Sequence, residues 1–313
     1  MSVVQALDAG VVALVLAVAG YTIVARASFA AVVAYVAYGL LVSLVWVRLF
    51  AVDVALTEAA VGGGVTGVLL ISAVVRLRGT EAPAERAGVR FRLLSAALSA
   101  VVALGLASVV FFMPQAGPSL APQAAEHLGD LGLGNAVTAV LIAYRALDTM
   151  LEKVVLLLAV IGVWSLAADR YWGGVTGLQR VARPQGALAF FAQLLPPFGI
   201  VVGVHIVWVG ADEPGGAFQG GAILAAMWMI AVMARLVEAP PTGTRWLRLV
   251  LISGPVMFLA VGVLGFVVPG AFLAYPAGFA KPLIVFIEAF MTLAIAAALP
   301  LLVAGPPKRL PSP

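Results

Sequence analysis

The sequence predicts an all-α, polytopic transmembrane helical bundle of about nine spans, with its N-terminus outside and its C-terminus cytoplasmic. Three observations predict it. Of 313 residues, 63% are hydrophobic and 10% charged, where a soluble domain carries about 25% charged residues. Apolar runs recur at lengths close to the roughly 20 residues that a bilayer-spanning helix needs. The basic residues fall in short loops that alternate between two sides, as the positive-inside rule expects.

Taken in order, the apolar runs give spans at 3–25, 29–50, 53–77, 91–112, 147–168, 187–209, 216–237, 246–268 and 282–304. Segment 135–146 is apolar but too short to span alone. It reads either as a short or re-entrant helix ahead of the fifth span or as a continuation of that span. An external N-terminus puts fourteen basic residues inside: Arg26; Arg76, Arg78, Arg86, Arg90 and Arg92; Arg170, Arg180 and Arg183; Arg235, Arg245 and Arg248; Lys308 and Arg309. Only Arg48 and Lys281 then lie outside, and Arg145 and Lys153 fall in the central stretch. Two polar loops, Gly79–Gly88 and Arg170–Gly186, divide the chain into three blocks, and Tyr171 and Trp172 read as interface anchors. The N-terminus has no Lys or Arg before its apolar run, which argues against a cleaved signal peptide.

Composition excludes several chemistries. Cysteine is absent, so disulfides and thiolate metal sites are ruled out. Two distant histidines, His127 and His205, do not make a His-rich metal site. No phosphate-binding loop, dinucleotide fingerprint or nucleophile elbow is present. No cofactor and no nucleic-acid partner is expected.

The chemistry-bearing residues gather in a few stretches. NAVTAVLIAYRALDTMLEK, 135–153, places Arg145, Asp148 and Glu152 at i, i+3 and i+7, on one helix face. Thr149 and Lys153 stand beside them. Ionisable groups in a membrane segment are costly and normally face a bundle interior or hydrated cavity, so the stretch reads as an ion or proton path. DVALTEAAVGGG, 53–64, offers Asp53 as an N-cap or path residue, Glu58 inside the helix, and Gly62, Gly63 and Gly64 for close helix approach. ADEPGGAFQGG, 211–221, reads as a helix capped by Asp212 or Glu213 with Pro214 in its first turn. Its glycines Gly215, Gly216, Gly220 and Gly221 are expected to pack helices. His205 and Glu288 are single polar residues inside apolar spans and join the candidate path.

Three of these stretches together resemble a family of ion-translocating membrane complexes. DVALTEAAVGGG resembles the small hydrogenase-type module at the C-terminal end of the large A subunit of Mrp-type sodium/proton antiporters, a module that stands as a separate protein in membrane-bound hydrogenases. NAVTAVLIAYRALDTMLE resembles the neighbouring module, N-x-V-x-x-I-L-V-D-F-R-G-F-D-T-x-x-E. EPGGAFQGG is similar to the PGGGFxGG signature of the antiporter B subunit. The likeness covers three modules in order: 1–80 with three helices, 88–168 with two helices and the charged stretch, and 185–305 with four. Ala143 stands where the family has Asp, Gly210-Ala211 where it has Gly-His, and Ala217 where it has the middle glycine.

The resemblance implies an accessory membrane subunit of a multisubunit Mrp-type monovalent cation (sodium)/proton antiporter, scaffolding large proton-channel-like subunits alongside small membrane subunits and lipid. It would lie in a prokaryotic cytoplasmic (inner) membrane as a multi-pass, non-enzymatic component. Glu58, Asp148 and Glu152 are the expected carboxylates for proton relay and transient sodium contact, with Arg145 and Lys153 tuning them. Burial and a neighbouring cation drive carboxylate ionisation in opposite directions, which lets such a cluster exchange protons. The rival readings are a membrane-arm subunit of a membrane-bound hydrogenase or other complex I-related redox enzyme, and a purely structural adaptor.

Overall fold

A computed structural model describes residues 2–77, 88–113, 119–177 and 186–309 of the chain. The boundary loop 79–87, the arginines Arg78, Arg86, Arg180 and Arg183, and the module edges at 80 and 185 lie outside the described residues. The described chain is almost wholly helical. Its one departure from the expected all-α class is a short antiparallel ribbon of β1 (Val175–Thr176) with β2 (Pro307–Arg309).

The first block is a hairpin of α1 (Val3–Val24) and α2 (Ser28–Arg48), followed by α3 (Val52–Glu58) and α4 (Thr66–Leu77). Between α3 and α4 the chain does not break but widens into a π-helix, Ala59–Val65. The glycine triplet lies in that wide turn. A side chain on Gly39 of α2 would meet the Gly62 and Gly63 backbone at 3.0–3.1 Å, and one on Gly63 would strike Leu40. Gly62 and Gly63 thus lie in close contact with α2, whereas Gly64 meets only Ala59 of its own turn. Asp8 and Arg48 join the two ends of the hairpin through an exposed ion pair of 2.8 Å.

The middle block holds α5 (Val89–Phe112), which has no buried residue, then the short α6 (Ala121–Glu126), α7 (Leu128–Leu131) and α8 (Ala136–Ala139). A second π-helix, Val140–Tyr144, follows α8. Arg145 then leaves helical geometry, with φ −125° and ψ 35°, before α9 (Ala146–Ser165) begins. The two readings of 135–146 thus resolve into a helical segment leading into the fifth long helix through a π-turn and a break.

The third block is the core. It comprises α10 (Ala187–Val209), α11 (Ala217–Met233), α12 (Arg245–Val267) and α13 (Ala280–Ala304). Helix α13 is the most enclosed. Ile284, Ile287, Met291 and Ile295 recur at helical spacing and are buried in one cluster with Ile142, Ala146 and Phe258. A second cluster joins Val160 and Trp164 of α9 to Leu247 and Leu251 of α12. Gly220 faces Val207 and the Gly203 carbonyl of α10, whereas Gly221 faces Ile295 of α13. Neighbouring small residues thus pack α11 against two different helices.

Among the described residues, seven helices are long and apolar enough to cross a membrane: Val3–Val24, Ser28–Arg48, Val52–Leu77, Val89–Phe112, Ala187–Val209, Arg245–Val267 and Ala280–Ala304. The other two expected spans form helices of a different kind. Ala217–Met233 is apolar but has 17 residues. Ala146–Ser165 has 20 residues and carries Asp148, Glu152 and Lys153.

Candidate functional site

All three blocks meet at one polar node. Asp53, in the first turn of α3, is 8% exposed. Its carboxylate accepts the Gly215 backbone N–H at 2.9 Å and the Asn135 side-chain amide at 3.4 Å. Asn135 also donates to the Glu213 carbonyl at 2.9 Å, and its own Oδ1 accepts from Val137 and Thr138 at the start of α8. Gln219 of α11 donates to Thr57 Oγ1 at 3.1 Å. The N-cap reading of Asp53 is corrected: Ala51 occupies that position, and the carboxylate ties distant segments instead.

The start of α11 also differs from expectation. Asp212, Glu213 and Pro214 precede the helix, and Gly216 is its N-cap. Gly216 has φ +129°, a left-handed conformation that favours glycine. A side chain there would lie 3.0 Å from Glu288 Oε1. Its role is backbone geometry beside a carboxylate, not helix packing. The acid at this helix start comes from α13: Glu288 Oε1 accepts the Ala217 N–H at 3.4 Å. Negative charge is favoured at a helix N-terminus. Asp212 is engaged elsewhere, accepting from Lys281 at 2.6 and 2.7 Å. The Lys281 ammonium holds the Asp212 carboxyl below the usual carboxylate range.

Between these groups lies a cavity of about 420 Å³, lined by Asp53, Thr57, Thr138, Thr149, Glu152, Lys153, Gln219 and Glu288 together with apolar residues. One water needs roughly 10–15 Å³ of such space and two to four polar partners, so the cavity has room for several waters. Lys153 is 5% exposed and donates to Glu152 Oε1 at 2.7 Å, while the Glu152 side chain is 58% exposed. The ammonium also sits 5.6 Å from the Phe218 ring centroid, within cation–π range. Glu288 is 3% exposed, and its Oε2 has no hydrogen-bond partner among the described residues. An unpaired oxygen on a buried carboxylate is costly.

Leu141, Ile142 and Thr149, on either side of the break at Arg145, form one wall. Arg145 N–H bonds the Val140 carbonyl five residues back, at 2.8 Å. The displaced ladder leaves carbonyls that hydroxyls serve: Thr149 donates to Leu141 O at 2.6 Å and Tyr275 donates to Ile142 O at 2.7 Å. Burial, and secondarily the Glu288 charge, push the Tyr275 phenol above its ordinary range, so it remains a donor. π-turns recur at functional sites, and both of them here, at Val61 and at Leu141, contribute to the cavity lining.

Of the residues singled out in the sequence, Asp53, Thr149, Glu152, Lys153, Gly215, Gly216 and Glu288 line this cavity. Arg145 and Asp148 do not. They pair with each other at 2.6 Å on an exposed face, where such a pair contributes little stability. Glu58 is partly buried against Gly62 in the first block. His205 lies on the exposed side of α10. Glu58, Asp148 and Glu152 thus lie apart, and among the described residues no three Asp, Glu, His or Cys side chains cluster. Asn135, Thr138 and Gln219 join the site without having stood out in the sequence, and Thr57 joins it four residues after Asp53. Their signal was present: an Asn opening an apolar helical run is an N-cap pattern, and Gln219 stands inside the glycine motif.

Replacing Asp53 by Ala strands the Gly215 N–H and the Asn135 amide, at about 1–3 kcal/mol for each donor left unpaired. The expected outcome is a lowered thermal midpoint in detergent, largely restored by Asp53→Asn, which keeps an acceptor oxygen. An unchanged midpoint for Asp53→Ala would show that the node does not tie the blocks.

Comparison with known proteins matches residues 13–79 to the MbhD family, a component of MBH. Residues 187–305 match a domain related to the MnhB subunit of the Na+/H+ antiporter. A protein of Staphylococcus epidermidis described as antiporter subunit mnhA2 is 34% identical over 130 residues, 41% of this chain and 16% of that protein. An uncharacterised protein of Methanocaldococcus jannaschii is 27% identical over 154 residues, 44% of this chain and 59% of that protein. The solved Mrp complex of Dietzia sp. contains a chain similar to 97% of this one, with TM-score 0.76 and 25% identity. This chain spans 35% of that one. The membrane-bound sulfane sulfur reductase, an archaeal respiratory membrane complex, shares the fold over 69% of this chain and 97% of its own, with TM-score 0.57 and 24% identity. Two partial family matches, an antiporter-subunit relative and a structural likeness over 97% of the chain agree in one respect: the chain is similar to subunits of Mrp-type antiporters.

Proposed function

We propose that this chain is an accessory membrane subunit of a multisubunit Mrp-type cation/proton antiporter, and that the cavity at the junction of its blocks is a segment of the ion or proton path. The observation that carries the reading is Glu288. It is a buried carboxylate with an unpaired oxygen, in a cavity that also holds Asp53, Glu152 and Lys153. Intramembrane acids in such settings are functional by default. Glu152 sits at the exposed rim, Lys153 and Glu288 inside, so protons or a cation would pass from rim to interior along oxygen ligands. Each of the three modules, 1–80, 88–168 and 185–305, gives one wall of that path. The partners are the large proton-channel-like subunits and small membrane subunits of the complex, in a prokaryotic inner membrane.

The reading is tested in inverted vesicles carrying the whole complex. Glu288→Gln and Glu152→Gln should leave the complex assembled and cut sodium-dependent proton exchange by on the order of 10²-fold, the scale a positioned proton-transfer group contributes. A neutral amide hydrogen-bonds but releases no proton. Full exchange in both variants would reduce the cavity to a packing feature. Subunit composition of the same preparation addresses the second reading, a redox-complex membrane arm, which the MbhD match and the likeness to the archaeal respiratory complex favour. Co-purifying iron–sulfur subunits would establish that reading in place of the antiporter.

We further propose nine crossings with the N-terminus outside, from the fourteen-to-two division of basic residues. A cysteine at Ser119 should react with an impermeant reagent in whole cells, and one at Lys308 only after permeabilisation. The reverse pattern would overturn the orientation.

A further inference from the structure

We propose that the groove between α9 and α12 is a binding site for a phospholipid with an anionic headgroup. The groove has a volume of about 290 Å³. Leu157, Ile161 and Trp164 line it from α9, and Arg248, Leu251 and Ile252 from α12. Both sets follow helical spacing, i, i+4, i+7 and i, i+3, i+4, so each helix offers one continuous face. Apart from the guanidinium these walls are apolar, which suits an acyl chain and not a soluble anion.

The charge lies at one end. Arg248 stands in the first turn of α12 and donates from Nε to the Thr242 carbonyl at 3.0 Å. That bond fixes the guanidinium at the mouth and leaves its two terminal amino groups without a salt-bridge partner among the described residues. A planar guanidinium with two free amino groups matches a phosphate in bidentate fashion. Trp172, 54% exposed, closes the same end, next to Arg170, whose guanidinium lies 4.7 Å from the Tyr171 ring. Arg245 begins the helix one turn before Arg248. Indole rings and arginines at a helix end mark the headgroup level of a bilayer, and basic pockets between transmembrane helices hold anionic headgroups. Charge, apolar length and depth therefore specify one occupant: a lipid whose phosphate meets Arg248 and whose chain runs along Ile161 and Ile252.

The test is native mass spectrometry of the full chain in mild detergent, titrated with phosphatidylglycerol or phosphatidylcholine of matched acyl chains. Wild type should retain phosphatidylglycerol in preference. Arg248→Gln should weaken that retention about fivefold, the scale of one arginine against an anionic lipid, and leave phosphatidylcholine unaffected. Ile161→Trp keeps the guanidinium and fills the groove, and should lose both lipids. Arg90→Gln, on α5, should behave as wild type. Equal retention of the two lipids by wild type, or wild-type preference in Arg248→Gln, would overturn the proposal. If Arg248→Gln fails to fold, undiminished lipid retention by Ile161→Trp would overturn it by itself.

Discussion

The carboxylate of Asp53 receives hydrogen bonds from two segments that lie far away in the chain, the Gly215 backbone and the Asn135 side chain. An unmet backbone N–H at a buried position is expensive. One buried acid therefore fixes how three blocks meet. Asn135 extends the node by capping α8 and holding the Glu213 carbonyl, and Gln219 extends it back to Thr57. The unusual backbone of Gly215 and Gly216 is maintained by these contacts. It delivers the start of α11 to Glu288.

Around that node the structure keeps irregular backbone and polar side chains together. Two π-turns and the break at Arg145 would be liabilities facing lipid. Here Val61 and Leu141 of the two turns line a cavity, and hydroxyls of Thr149 and Tyr275 serve carbonyls of the second turn. Non-helical backbone at membrane depth is tolerated where it is buried or lines a hydrated space. The third block supplies the rigid frame, since α13 is packed along most of its length. The first block contributes an acid and a glycine-lined approach, and the second a lysine with its rim carboxylate. None of the three makes the cavity alone.

Much of this was legible in the residues. Apolar runs near bilayer length located the long helices among the described residues, and two of the three motif-bearing stretches fall in or beside the regions that match known families. Gly220 and Gly221, each four residues after a small residue (Gly216 and Ala217), lie against α10 and α13. What the sequence concealed were features set by tertiary contact. Helical spacing put Arg145, Asp148 and Glu152 on one face, but the chain leaves the helix at Arg145, so Arg145 and Asp148 pair outside while Lys153 turns in. Local rules assigned the cap of α11 to Asp212 or Glu213, yet Lys281 holds Asp212 and the acid arrives from Glu288, 71 residues beyond Ala217. π-turns have no strong local signature beyond the glycine triplet. His205 followed the rule that a polar residue in a span is functional, and α10 turns it outward.

The central claim is that the three blocks enclose a hydrated polar cavity. The chain has no cysteine, so single cysteines report cleanly. The most direct measurement is reaction of cysteines at Thr57 and Thr149, in the assembled complex in membranes, with a small charged methanethiosulfonate reagent. Both positions line the cavity, and Phe258, fully buried in the apolar core, is the reference. The account predicts labelling at Thr57 and Thr149 and none at Phe258. Protection of both cavity positions to the level of Phe258 would contradict it.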